Sequence, residues 1–62
     1  MAYAPIRIFS GHGYDLHLMH TAKRSALRDA DGLRKKGYNV RVIHMPLDRH
    51  YPYATYKNRR RG

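Results

Sequence analysis

The chain has 62 residues, a formal net charge of +9 at pH 7 and no cysteine, which excludes disulfides and thiolate metal sites. A chain this short buries only about 60% of its unfolded surface, so a partner or a dimer is expected to support it. No apolar run approaches the roughly 20 residues of a membrane span, and residues 1–5 lack a signal-peptide pattern, which predicts a cytoplasmic protein without membrane contact.

A first strand is predicted over residues 6–9, after a loose lead-in that ends at Pro5. Residues 10–13 contain two glycines and predict a turn. Residues 14–19 alternate between apolar and polar side chains, which favours the second strand of a hairpin. The alternative for this segment is a loop that leads into a longer helix.

A helix is predicted over residues 22–36, with Thr21 as its N-cap. The helix ends where the apolar period changes from helical to alternating, and Gly37 follows a basic last turn as a C′ glycine commonly does. The predicted apolar stripe consists of Ala22, Ala26, Ala30 and Leu33, with Leu27 at its edge.

Two more strands are predicted after Gly37, over residues 38–45 and 51–57, joined by a short connection. The predicted fold is therefore α+β, with a single helix packed on a small, mostly antiparallel sheet. The element order is ββαββ, or βαββ if the second strand fails. Residues 1–62 form a single basic domain, with a folded unit over residues 5–57 and a basic tail over residues 58–62.

Alternation within the strands predicts what each side of the sheet carries. Ile6, Ile8, Val40 and Val42 are expected to face the helix. The side away from the helix then gathers basic and aromatic side chains, namely Arg7, Phe9, Arg41, Ile43 and Met45, and the last strand is expected to add Tyr51, Tyr53, Thr55 and Lys57. Such a surface is typical of a platform for single-stranded nucleic acid, and the alternative is a dimer face.

Two further groups of basic residues could contact phosphates. The helix carries Arg24, Arg28 and Lys35 on its outer side, where Lys23 and Arg34 could join them, and the tail carries Arg59, Arg60 and Arg61. The helix has neither asparagine nor glutamine, so we expect contacts that position the protein rather than read a base sequence.

The sequence gives little support for a catalytic site or a metal site. The four acidic residues are all aspartates and form no obvious general acid–base pair. The five histidines are scattered, so surface or phosphate-contacting roles are expected, with no metal and no cofactor.

The sequence thus predicts a small nucleic-acid-binding protein without enzymatic activity, an RNA-binding accessory protein of a ribonucleoprotein such as the ribosome. Its predicted contact residues are Arg7, Phe9, Arg24, Arg28, Lys35, Arg41, Tyr53, Lys57, Arg59, Arg60 and Arg61. A dimeric DNA-binding protein of architectural or regulatory type is one alternative. A protein-interaction module for an acidic partner is the other.

Overall fold

The strands and the helix follow the predicted order in the computed structural model, which describes residues 3–59. The elements are β1 (Ile6–Phe9), β2 (His12–His20), α1 (Lys23–Lys35), β3 (Tyr38–His44) and β4 (Tyr53–Arg59). The four strands form one antiparallel sheet in the order β1-β2-β4-β3, and α1 packs on it. The predicted α+β fold with ββαββ order is confirmed.

The β1–β2 hairpin turns on two residues rather than the predicted four. Ser10 and Gly11 have φ angles of +52° and +79°, and two successive positive φ values are typical of a type I′ turn. His12 and Gly13 already belong to β2, opposite Phe9 and Ile8. The strand interpretation of residues 14–19 is confirmed, and the loop alternative is wrong.

The start of α1 differs from the prediction, whereas its end agrees. The N-cap is Ala22, which makes no side-chain cap bond, so Thr21 lies one residue too early to cap the free N–H groups. At the other end Gly37 has φ +98°, and its N–H donates to the carbonyl of Arg34 at 3.0 Å. Gly37 is therefore the predicted C′ glycine.

Two glycine-to-alanine variants should shift stability in opposite directions. Gly37→Ala should lower the free energy of unfolding by about 1 kcal/mol, because its φ of +98° is costly for a residue with a Cβ. Gly32→Ala is the control, since this helical position also has open space around it and should gain about 1 kcal/mol. Denaturant unfolding of both variants measures the difference. Equal shifts in the same direction would contradict the assignment of Gly37.

The core under the helix is confined to one half of the sheet. Ala30, Leu33 and Val40 are buried together, and Val42 packs against them. Ile6 and Ile8 were predicted to face the helix, but they remain 58% and 67% exposed. The strand order explains this, because β2 and β4 separate β1 from β3, against which the helix makes its main contact.

A second core covers the side of the sheet away from the helix. Its buried members are Tyr3, Tyr14, Ala54 and Tyr56. The Tyr3 hydroxyl donates to the Tyr51 carbonyl at 2.7 Å, and the Tyr56 hydroxyl donates to the Ala4 carbonyl. Residues 3–5 are therefore packed against the sheet, and the prediction of a loose lead-in is wrong for them. Residues 1 and 2 lie outside the described part of the chain.

The register of β4 is opposite to the one predicted. Ala54 and Tyr56 occupy the face with the second core, so Tyr53, Thr55 and Lys57 lie on the face toward the helix. The hydroxyl of Thr55 confirms this, because it donates to the carboxylate of Asp29 on α1.

The folded unit extends further than residues 5–57. Asn58 and Arg59 continue β4 opposite Asn39 and Tyr38, and the Asn58 amide donates to the Gly13 carbonyl at 2.6 Å. The predicted tail boundary at residue 58 is therefore wrong. Residues 60–62 lie outside the described part of the chain, and so do the predicted contacts of Arg60 and Arg61.

Candidate nucleic-acid interface

Two arginines from opposite edges of the sheet converge on one aromatic ring. Arg7 projects from β1 and Arg41 from β3, and their Cζ atoms lie 5.7 Å and 5.6 Å from the centroid of the Phe9 ring. Arg7 also lies 5.9 Å from the ring centroid of Tyr56. Stacking on a ring holds the guanidinium plane in place while its N–H groups stay available for an anion.

The ring of Phe9 is itself part of the packing. It meets Tyr14 edge to face at 5.1 Å between centroids, and Tyr56 at 6.1 Å. The sequence predicts Phe9 as a stacking surface for a base, but the structure places the guanidinium groups of Arg7 and Arg41 over it. The groups that lie over the Phe9 ring here are therefore guanidinium groups, a group type that can also stack on bases.

Among the described residues, neither Arg7 nor Arg41 forms an ion pair with an aspartate. Asp15 is on the helix-facing side of β2 opposite Lys57, and Asp29 lies between α1 and the sheet. Asp31 pairs with Lys35, and Asp48 lies in the β3–β4 connection. The chain has no other acidic residue. The field around Arg7 and Arg41 is therefore positive and attracts polyanions.

The N-terminal segment limits the free part of this face. Tyr3 packs at the end near the β3–β4 connection, where its hydroxyl reaches the carbonyl of Tyr51. Burial raises the pKa of the Tyr3 hydroxyl, and the nearby charge of Asp48 raises it further. Within the described residues, Arg41 is exposed and Arg7 and Phe9 are half-buried, so the part of this face around them is accessible to solvent. We call it the arginine face, defined by Arg7, Phe9 and Arg41.

The basic residues of the helix form a separate surface. Arg24, Arg28 and Lys35 are exposed on the side of α1 that points away from the sheet, behind the arginine face. Lys35 lies 3.4 Å from Asp31, and both side chains are largely exposed, so this ion pair contributes little. One flat strand of nucleic acid cannot contact both surfaces at once.

Two more predicted contact residues, Tyr53 and Lys57, lie on the helix-facing side of the sheet. Tyr53 stacks on His44 with 4.6 Å between ring centroids, and the Nζ of Lys57 lies 4.9 Å from the ring centroid of Tyr38. Arg59 belongs to β4, opposite Tyr38. The structure therefore does not bring Tyr53 and Lys57 together with the arginine face.

Sequence reasoning missed a polar cluster between the helix and the sheet. The Asp29 carboxylate accepts a hydrogen bond from Thr55 Oγ1 at 2.7 Å, and it lies 3.0 Å from His20 Nε2 and 3.5 Å from His17 Nε2. Burial alone would raise the pKa of Asp29, but the hydrogen bonds from Thr55 and His20 and the two histidine charges outweigh it and lower the pKa.

This cluster corrects the histidine prediction for two of the five positions. His17 and His20 face Asp29 rather than phosphate. Regular alternation would place residues three apart on opposite faces, but His17 lies at the irregularity between Leu16 and Leu18, which the sequence did not reveal. Within residues 3–59, no group of histidine and acidic residues has the arrangement of a metal site.

Comparison with known proteins assigns neither a family nor a function to the chain, because no protein-family profile, curated protein or solved structure matches it. None of the helices in the described part of the chain has the length and apolar character of a membrane span.

Proposed function

We propose that the protein binds single-stranded nucleic acid, with RNA as its target, through the arginine face. The observation that carries the proposal is the convergence of Arg7 and Arg41 on Phe9, with no ion pair to an aspartate among the described residues. An accessory role in a ribonucleoprotein, within the cytoplasm, fits a small, strongly basic chain of this kind.

The two arginines can serve a single strand in two ways. Their N–H groups donate to phosphate oxygens, and their exposed planes stack on unpaired bases. In a duplex the bases are already stacked, so only the phosphate contacts remain. The arginine face is therefore expected to prefer single strands and to discriminate little between base sequences.

Two double variants of equal charge test the proposal. Arg7→Ala/Arg41→Ala and Arg24→Ala/Arg28→Ala each remove two positive charges, one pair from the arginine face and the other from the outer side of α1. Binding to a uridine-rich RNA strand of about a dozen nucleotides is measured by fluorescence anisotropy across a salt series.

The arginine-face pair should weaken binding about tenfold or more, because it removes charge-assisted contacts that the control pair retains. It should also make the slope of log K against log salt shallower by about 1.4, the value for two phosphates on a single strand. The control pair should change affinity less than about threefold, through the general field alone.

The opposite ranking would overturn the proposal. If Arg24→Ala/Arg28→Ala weakens binding more, and duplex DNA binds better than the single strand, the helix is the interface. If neither pair affects RNA binding while an acidic protein is retained at the same salt, the protein is an interaction module for acidic partners.

A further inference from the structure

A groove lies next to the arginine face, at the free edge of β3. Its lining combines two guanidinium groups, one amide and two phenol rings, contributed by Tyr14, Arg34, Tyr38, Asn39, Val40 and Arg41. Its volume is about 430 Å³, within the range of about 300–1,000 Å³ for small-ligand sites. β3 pairs with β4 on one side only, so ligands can approach the groove from solvent.

Arg34 also lines this groove, although the helical pattern of the sequence does not predict it. It belongs to the last turn of α1, but its Nη2 crosses to β3 and donates to the carbonyl of Val40 at 3.1 Å. A guanidinium has five N–H donors, so one bond to Val40 fixes its position and leaves the others available. Arg34 therefore differs from Arg24 and Arg28, which stay on the outer side of the helix.

Arg41 is the second guanidinium of the groove and is also held in place. It lies over the Phe9 ring at 5.6 Å, and it connects the groove with the arginine face. Anchored donors lose less conformational freedom on binding than free side chains do. The groove thus holds two positioned guanidinium groups, those of Arg34 and Arg41. Asn39, which lies between them in the sequence, adds an exposed amide. Together these groups form a donor-rich site for one phosphate.

From these contacts we infer that the groove is a phosphate subsite, in which Arg34, Arg41 and the Asn39 amide bind one phosphate group of a nucleotide. This inference rests on the proposed function. It adds a binding position for one more nucleotide beside the arginine face, toward the edge of β3. The phosphate can belong to a bound RNA strand or to a free nucleotide, and the two sources share the same chemistry.

Three single variants test the subsite, and each lowers the net charge by one. Arg34→Ala removes one donor group, Asn39→Asp places a carboxylate in the groove, and Arg28→Ala is the control on the same helix. On a uridine-rich RNA strand we expect Arg34→Ala and Asn39→Asp to weaken binding about fivefold to tenfold, and Arg28→Ala less than about twofold.

Arg34→Lys separates loss of charge from loss of the fork-shaped donor. It keeps the charge, but it cannot bind phosphate in a bidentate manner, so it should recover only part of the lost affinity. Thermal unfolding of every variant accompanies the titrations, because Arg34 also bonds to Val40. Asn39→Asp keeps the Arg34 bond and tests the subsite even if Arg34→Ala proves unstable.

Backbone NMR distinguishes the two sources of the phosphate. Uridine monophosphate, inorganic phosphate and the RNA strand are each titrated while the amide signals of Asn39, Val40 and Arg41 are followed. Shifts with the strand at lower concentration than with the monophosphate assign the subsite to RNA, and the reverse order assigns it to a free nucleotide.

The subsite can fail while the proposed function stands. If Arg34→Ala and Asn39→Asp behave like Arg28→Ala and none of the three ligands shifts those amides, the subsite is refuted. The proposed function still stands in that case if Arg7→Ala/Arg41→Ala weakens RNA binding as expected.

Discussion

Tyr56→Ala is expected to leave the protein largely unfolded at room temperature. Tyr56 is fully buried, packs edge to face with Phe9 and donates its hydroxyl to the carbonyl of Ala4. Removing a buried aromatic side chain costs about 3–5 kcal/mol. A chain of this size is expected near the lower end of the usual 5–15 kcal/mol of total stability. Circular dichroism with urea titration measures the loss.

Tyr56→Phe is the control for this variant, because it keeps the ring and removes only the hydroxyl. It should cost about 1 kcal/mol, the net value of a typical hydrogen bond. If Tyr56→Ala instead melts within a few degrees of the natural chain, the side of the sheet away from the helix is not a core. Tyr3 and Tyr56 would then lie on an open surface.

Asp29→Ala should be the next most damaging change, at about 2–3 kcal/mol near neutral pH. Thr55 is fully buried, and its hydroxyl loses its shortest hydrogen bond when the carboxylate is removed. His20 loses its acceptor as well. Hydrogen bonds to a charged group contribute about 1.5–3 kcal/mol, and a buried donor left without its partner adds a penalty. Asp31→Ala is the control, since Asp31 makes only an exposed pair with Lys35.

The effect of Asp29 should depend on pH in a known direction. Its pKa is lowered from the ordinary value of 3.8, so the folded state favours the carboxylate more than the unfolded state does. The stabilisation is therefore fully present above about pH 5, roughly one unit above the unfolded pKa, and is lost as the pH falls through the lowered pKa. Asp29→Asn should remove this dependence. Parallel stability curves for the two proteins between pH 5 and pH 2 would contradict the assignment.

The elements of the fold could be predicted because their signals are local. The change of period at Gly37, the basic last turn and the alternation of residues 14–19 each fall within a few residues. The register of β4 could not be predicted in this way. Tyr51 and Tyr53 suggest that the tyrosines of this strand lie on the side that carries them. The observed register instead follows from Tyr56, whose hydroxyl donates to the carbonyl of Ala4, 52 residues away in the sequence.

The candidate site shows the same division between local and distant information. Alternation along two short strands places Arg7, Phe9 and Arg41 on one face, and the structure has them there. Nothing in the helical pattern separates Arg34 from the outer arginines, because its role depends on the carbonyl of Val40 across the gap between helix and sheet. Sequence reasoning therefore found the arginine face but missed the groove beside it.

The strand order has a consequence for how the protein is made. β4 is synthesised after the other three strands of this sheet, yet it lies inside the sheet between β2 and β3. A growing chain that has emerged only as far as β3 holds two strands whose inner edges have no partner. Exposed strand edges invite aggregation, and domains fold as units once their segments are available. The sheet can therefore close only after the ribosome has released β4, the strand that joins its two halves.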